Sequence, residues 1–154
     1  MLMMLALLLI AVGLKAQSYS GGSGSEVDPY LIANKADLKY LSEHSGEWSK
    51  HFKQTANITF TDADFESGGD FYNGGSGFSP IGNSSTKFTG SYDGDGHTID
   101  NLYINRSGTD DIGLFGYANE ATISDLGVTN VDISGKKYVG GLVGEIRTSS
   151  TISN

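Results

Sequence analysis

The sequence predicts an all-β chain, a solenoid of short strands behind a small cap made of one strand and one helix. Two repeats and a texture carry that prediction. Thr98-Ile99-Asp100-Asn101-Leu102-Tyr103-Ile104 matches Thr122-Ile123-Ser124-Asp125-Leu126-Gly127-Val128, and Thr151-Ile152-Ser153-Asn154 opens a third copy. Between the copies a Gly-Leu-x-Gly signature recurs as Gly113-Leu114-Phe115-Gly116 and Gly141-Leu142-Val143-Gly144. From Gln54 onward, short segments rich in Ile, Val, Thr, Phe and Tyr alternate with Gly, Asn, Asp and Ser, without a helical period. Copies ~20–30 residues apart fit single windings that bury their apolar faces only by stacking. A leucine-rich repeat has a similar period, but its regular Leu spacing is missing.

Taken in order, Met1–Leu14 is an apolar run, shorter than the ~20 residues of a spanning helix, followed at once by small and polar residues. It reads as a secretory signal over 1–16 with cleavage after Ala16, so the mature chain is expected to be exported and to carry no transmembrane span. Ser18–Ser25 (SYSGGSGS) reads as a flexible lead-in over 17–25. The cap follows over 26–53. Its apolar segment behind Asp28-Pro29 predicts an edge strand. Asn34 as N-cap, Asp37 three residues on, and the Leu38/Leu41 spacing predict a helix over 36–44 that ends at Gly46.

Residues 54–154 form the repeat region, with room for about four windings. One winding cannot shield Ile99, Leu102 and Ile104. Stacking the next at ~4.8 Å in parallel is expected to set Ile123, Leu126 and Val128 over them. The same register superimposes Asn101, Asp125 and Asn154 as a ladder, and lines Thr98, Thr122 and Thr151 into a row. The glycines allow tight bends and close backbone approach. The extra glycine in Tyr138-Val139-Gly140-Gly141-Leu142 predicts a bulge. More repeats are expected beyond Asn154.

Composition narrows function by exclusion. The 154 residues hold 22 glycines and no cysteine, with a formal charge of −8 that loss of Lys15 makes one unit more negative. An acidic chain does not suit phosphate-backbone recognition, so no nucleic-acid partner is expected. Without cysteine there are no disulfides, thiolate metal sites or cysteine nucleophile.

The repeats resemble the GLUG-motif family of bacterial secreted and surface proteins. The matching stretches are Phe88–Ile99, Gly113–Tyr117, Ala121–Asn130 and Tyr138–Gly144, and Asp28-Pro29-Tyr30-Leu31-Ile32 is similar to the cap that precedes such repeats. The resemblance implies a right-handed parallel β-helix on a large exported protein, used as a stalk or adhesive surface towards glycans or host and neighbour-cell proteins. It implies no catalytic residues and no cofactor.

Several constellations invite chemistry. Asp93 and Asp95 lie two apart among glycines, as hard-cation loops arrange carboxylates, although Asp-Gly pairs equally make tight turns. Asp62-Ala63-Asp64-Phe65-Glu66 begins like an EF-hand loop, but Ser67 and Asn73 stand where Gly and Glu are required. Asp62, Asp64 and Asp70 could still offer oxygens to Ca²⁺ from what reads as a long acidic loop over 62–79. His44, His51 and His97 have no i, i+4 partner of the zinc-protease kind and no Gly-x-Ser-x-Gly elbow. Asp100, Asp110, Asp111 and Asp125 could form carboxyl pairs on adjacent windings, the requirement of a polysaccharide-acting enzyme. Tyr103, Tyr117 and Tyr138 offer a strip for stacking against sugars or protein.

Overall fold

The computed structural model describes residues 18–154; the signal over 1–16 lies outside the described residues. The chain runs through β1 (Tyr30–Ile32), α1 (Lys35–Glu43), a 3-10 turn (Ser45–Glu47), β2 (His51–Gln54), β3 (Ile58–Thr59), α2 (Asp62–Phe65) and a second 3-10 turn (Asn73–Gly75). Then come only strands: β4 (Ser91–Asp93), β5 (Thr98–Asp100), β6 (Tyr103–Asn105), β7 (Asp110–Ile112), β8 (Phe115–Asn119), β9 (Thr122–Ser124), β10 (Gly127–Thr129), β11 (Asp132–Ser134), β12 (Lys137–Val139), β13 (Val143–Arg147) and β14 (Thr151–Ser153). The fold is all-β in character, as expected, and its strands lie in five short separate sheets ordered β1-β2-β4-β9-β14, β10-β5-β3, β11-β6, β12-β7 and β13-β8. Every strand pair in them is parallel.

The lead-in is not flexible. Tyr19 is buried, its ring stacked on Tyr30 at 4.3 Å and its hydroxyl donating to Glu47 Oε2 at 2.6 Å. Apolar ring area, more than the glycines around it, decides how this segment behaves. α1 is capped as its sequence predicts, with Asp37 N–H donating to Asn34 Oδ1 at 3.0 Å. The buried Asp37 carboxylate reaches one residue further back than a capping box, accepting from Ala33 N–H at 2.9 Å and from the Ser20 hydroxyl at 2.7 Å. The helix stops at Glu43, and Gly46 lies in the 3-10 turn that follows.

The register corrects the sequence reading. Ile99 is opposite Val128, not Ile123, and Ile123 lies between Tyr92 and Ile152. The opening strands of the two matching heptads, β5 and β9, therefore sit in different sheets. They are alike because they do the same local task at two corners of the chain. Each is a three-residue strand, a residue in the left-handed region (Asn101 φ 57°, Asp125 φ 51°) and an inward leucine. Strand partners from Ser91 onward lie 27 to 31 residues apart. Of the expected Asn101–Asp125–Asn154 ladder only the Asp125–Asn154 step forms, Asn154 following the Ser153 that faces Ser124. Asn130, next after the Thr129 that faces Asp100, stacks on Asn101 instead. Likewise the row is Ser91–Thr122–Thr151, with Thr98 elsewhere, opposite Gly127.

The Gly-Leu-x-Gly copies do stack, Phe115 opposite Val143 and hence Gly116 opposite Gly144. A Cβ on Gly116 would lie 2.4 Å from Gly82 O, and one on Gly144 would lie 2.7 Å from Gly116 O. Gly82 follows Ile81, which bridges to Phe115, so a further glycine, outside any Gly-Leu-x-Gly signature, starts this column. Backbone closeness, not turn geometry, demands glycine at 116 and 144. Between β12 and β13 the register slips by one residue, where the extra glycine predicted a bulge.

Forty residues separate His51 from its neighbour Ser91, more than separate any strand partners from Ser91 onward. The excess is the acidic segment, which folds back instead of projecting. Phe71 and Phe78 are buried against Phe60, with centroids 4.9 Å and 6.3 Å from it, and Phe65 packs on Phe60 at 5.1 Å. Burying one such ring contributes about 1.5–3 kcal/mol, ample to hold a short excursion down.

Candidate functional site

The excursion creates the most site-like concavity, a groove of about 360 Å³ between α2 and two strand corners. α2 places Asp62, Phe65 and Glu66 on one wall. The corner between β5 and β6 supplies Asn101 and Tyr103, and the corner above, between β10 and β11, supplies Asn130 and Asp132. Phe65 leans on Tyr103 at 5.5 Å, so the half-buried tyrosine is held in place.

The polar lining is mostly acceptor. The Asn101 amide donates to Phe60 O at 3.3 Å, and that of Asn130 donates to Asp100 Oδ1 at 2.7 Å. Each amide nitrogen thereby spends one of its two N–H groups inside the protein, and the oxygens remain free to accept. Asp100 also accepts from the Thr129 hydroxyl at 2.6 Å. These two side-chain bonds hold its carboxyl below the usual range. The carboxylates of Asp62, Glu66 and Asp132 line the groove itself, and no basic residue does.

The predicted cation ligands do not converge. Asp62 faces this groove, whereas Asp64 and Asp70 line a second concavity beside α1. Asp64 accepts both oxygens' worth of bonding from Lys35 Nζ (2.8 and 2.9 Å) and takes the Thr61 N–H and hydroxyl as well. Its pKa is lowered: burial raises it, and the Lys35 and Thr61 hydrogen bonds outweigh that. Asp93 Oδ1 accepts from Asp95 N–H at 2.8 Å in a tight turn, with Lys53 Nζ 3.2 Å from Asp95. Among the described residues no three His, Cys, Asp or Glu side chains are placed to hold a metal ion.

The histidines are dispersed too. His44 stacks on Tyr40, His51 Nδ1 lies 2.8 Å from Ser91 Oγ, and His97 Nδ1 lies 3.2 Å from Asn57 Oδ1. Tyr117 and Tyr138 are on other faces from Tyr103, in or near β8 and β12, so no tyrosine strip forms.

One carboxyl departs from the acidic norm. Asp111 is buried at a left-handed corner (φ 60°), and Oδ1 of both Asp110 and Asp111 is enclosed without a hydrogen-bond partner. Burial, then the neighbouring Glu145, pushes the Asp111 carboxyl up to about 6. Glu145 is in turn held below its ordinary value, since Arg147 and Asp111 together outweigh its own desolvation.

Sequence reading named Asp62, Glu66, Asn101 and Tyr103, and Asn130 at the end of a matched stretch, but not the groove. Asp132 has no motif, and what joins it to Tyr103 is the spacing of the strand partners, which local similarity misreports.

No family model matches the chain, and no solved structure matches it significantly. It is 40% identical over 127 residues, 80% of its length, to halomucin of Haloquadratum walsbyi. It is 33% identical over 117 residues, 76% of its length, to a protein named as a Gly-rich membrane protein in Evansella cellulosilytica. The chain spans about 1% of the first relative and 12% of the second. No helix among the described residues is long and apolar enough to cross a membrane, which leaves β-barrels unaddressed.

Proposed function

We propose that this chain is a stretch of right-handed parallel β-helix, of the GLUG-motif type, in an exported cell-surface or secreted protein, and that it works as a stalk and adhesive surface. The observation that supports this reading is the in-register parallel pairing of strands about 29 residues apart in all five sheets. Right-handedness follows the general rule for crossovers between parallel strands. The names of the two relatives, one a mucin and one a membrane protein, agree with a surface address. Adhesion of this kind gains strength by repetition, weak contacts on successive circuits adding through avidity.

Further circuits are proposed to continue the stack. The apolar residues of the last circuit lie open, with Tyr138 54% and Ile146 50% exposed where their counterparts one circuit earlier are buried. Such a face and its unpaired strand edges invite covering by the next winding.

Surface labelling of intact cells with an antibody to residues 18–154, with protease shaving, tests the address. Labelling lost on shaving is expected; signal only after permeabilisation overturns it.

A second reading, a polysaccharide-acting β-helix enzyme, draws on the raised Asp111 beside the ionised Glu145, since an acid and a base pushed apart in pKa are what glycoside cleavage uses. Turnover in a glycan-degradation screen that Asp111→Asn abolishes would favour it over the stalk.

A further inference from the structure

We propose that the groove between α2 and the β5–β6 and β10–β11 corners binds a linear polysaccharide of neutral or amino sugars lying along the stack. Three features of the groove lead there. Its hydrogen-bonding groups are mostly acceptors: the carboxylates of Asp62, Glu66 and Asp132 and the oxygens of Asn101 and Asn130 outnumber the remaining amide N–H groups and the Tyr103 hydroxyl. A ligand must bring donors, which hydroxyls and ammonium groups do and carboxylated or sulfated sugars do less well. The lining also includes an aromatic side chain, Tyr103, braced by Phe65. The flat face of a pyranose packs on such a ring while its rim of hydroxyls reaches the carboxylates. At about 360 Å³ the space sits within the ~300–1,000 Å³ range of ligand sites.

The third feature selects a polymer over a single sugar. Asn130 stacks on Asn101 and Asp132 on Tyr103, so the polar groups of the groove come in pairs one strand spacing, ~4.8 Å, apart. A ligand with its own repeat meets them in turn. Extension of the site past Asp132 rests on the β-helix reading above; the groove itself does not.

Calorimetric titration of the full chain uses cellohexaose, a glucosamine hexamer, a galacturonate hexamer and tri-lysine as probes. Saturable binding of cellohexaose or the glucosamine hexamer is expected, with the galacturonate hexamer at least tenfold weaker. The exposed triple change Asp62→Asn/Glu66→Gln/Asp132→Asn should weaken sugar binding at least tenfold, and Tyr103→Ala likewise, while Asp93→Asn/Asp95→Asn leaves it unchanged. Circular dichroism checks the fold of each variant. Absence of saturable sugar binding, binding indifferent to the triple change, equal binding of the galacturonate, or binding of tri-lysine alone each overturns the proposal. The Ile99–Val128 cross-link described below reports stacking separately, so the groove can fail while the stack stands.

Discussion

The hydroxyl of Tyr92 donates to Oε1 of Gln54 at 2.9 Å, and both side chains are fully buried. The Gln54 amide in turn donates to Ala56 O at 2.8 Å and Thr98 O at 3.1 Å. One glutamine thereby ties adjacent strands of the largest sheet to the corner that leads into β5. Burial raises the Tyr92 pKa far above that of free tyrosine, so the phenol remains a donor at any working pH. Tyr92→Phe leaves a glutamine oxygen unpaired in the core, at a cost of about 1–3 kcal/mol. Urea denaturation should show a lower midpoint with the same slope.

Cysteine pairs test the register directly, because the chain has no cysteine of its own. Opposed residues on parallel strands lie ~4.8 Å apart, inside the Cα range a disulfide spans. Ile99→Cys/Val128→Cys should cross-link on mild oxidation, and Ile99→Cys/Ile123→Cys should not. Mass spectrometry of unreduced peptides reads the result, and the reverse pattern would remove the stack described here.

The glycine column predicts a sharp contrast. A methyl group at 116 would meet Gly82 O at 2.4 Å and Asp111 O at 2.5 Å, both backbone atoms that cannot swing aside. Gly116→Ala should cost at least the ~1–3 kcal/mol typical of overpacking. Gly46→Ala, which meets nothing within 4 Å, should be neutral or slightly stabilising. Thermal melts of the two variants suffice.

Acid should strengthen the fold near Asp111. Its carboxyl titrates at about 6 when folded, above the ~3.9 of an unfolded aspartate, so the folded state holds the proton more tightly. That stability is present in acid and is lost as pH rises from about 4 through about 6. Asp110 and Glu145 add negative charge around the group, and Arg147 opposes them. Lowering pH from 7.5 to 5 should raise the melting temperature by about 3 °C. The shift should be much smaller in Asp111→Asn, which also separates it from histidine titration. The lowered Glu145 value opposes this only at more acid pH.

Much of the architecture was legible in local pattern. The Asn34 cap, the strand at Tyr30, the Leu38/Leu41 face and the stacked glycine signatures each depend on residues close in the chain. The spacing of the strand partners was not. Two corners built alike gave two heptads alike, and reading them as vertical neighbours shifted Ile99 by several residues from its partner. Tyr19 and the Phe60–Phe78 cluster were hidden by composition, since glycine and acid around them suggested loops while the rings decided the packing. The groove was illegible for the same reason: Glu66, Asn130 and Asp132 line it together only once distant strands pair.

The acidic excursion lies between β3 and β4, while β2 still pairs with β4 and β3 with β5. A scaffold of that kind separates holding its shape from choosing its target. Replacing residues 62–77 with a different detour, anchored by the same pair of phenylalanines, would exchange what the surface recognises without re-engineering the column beneath.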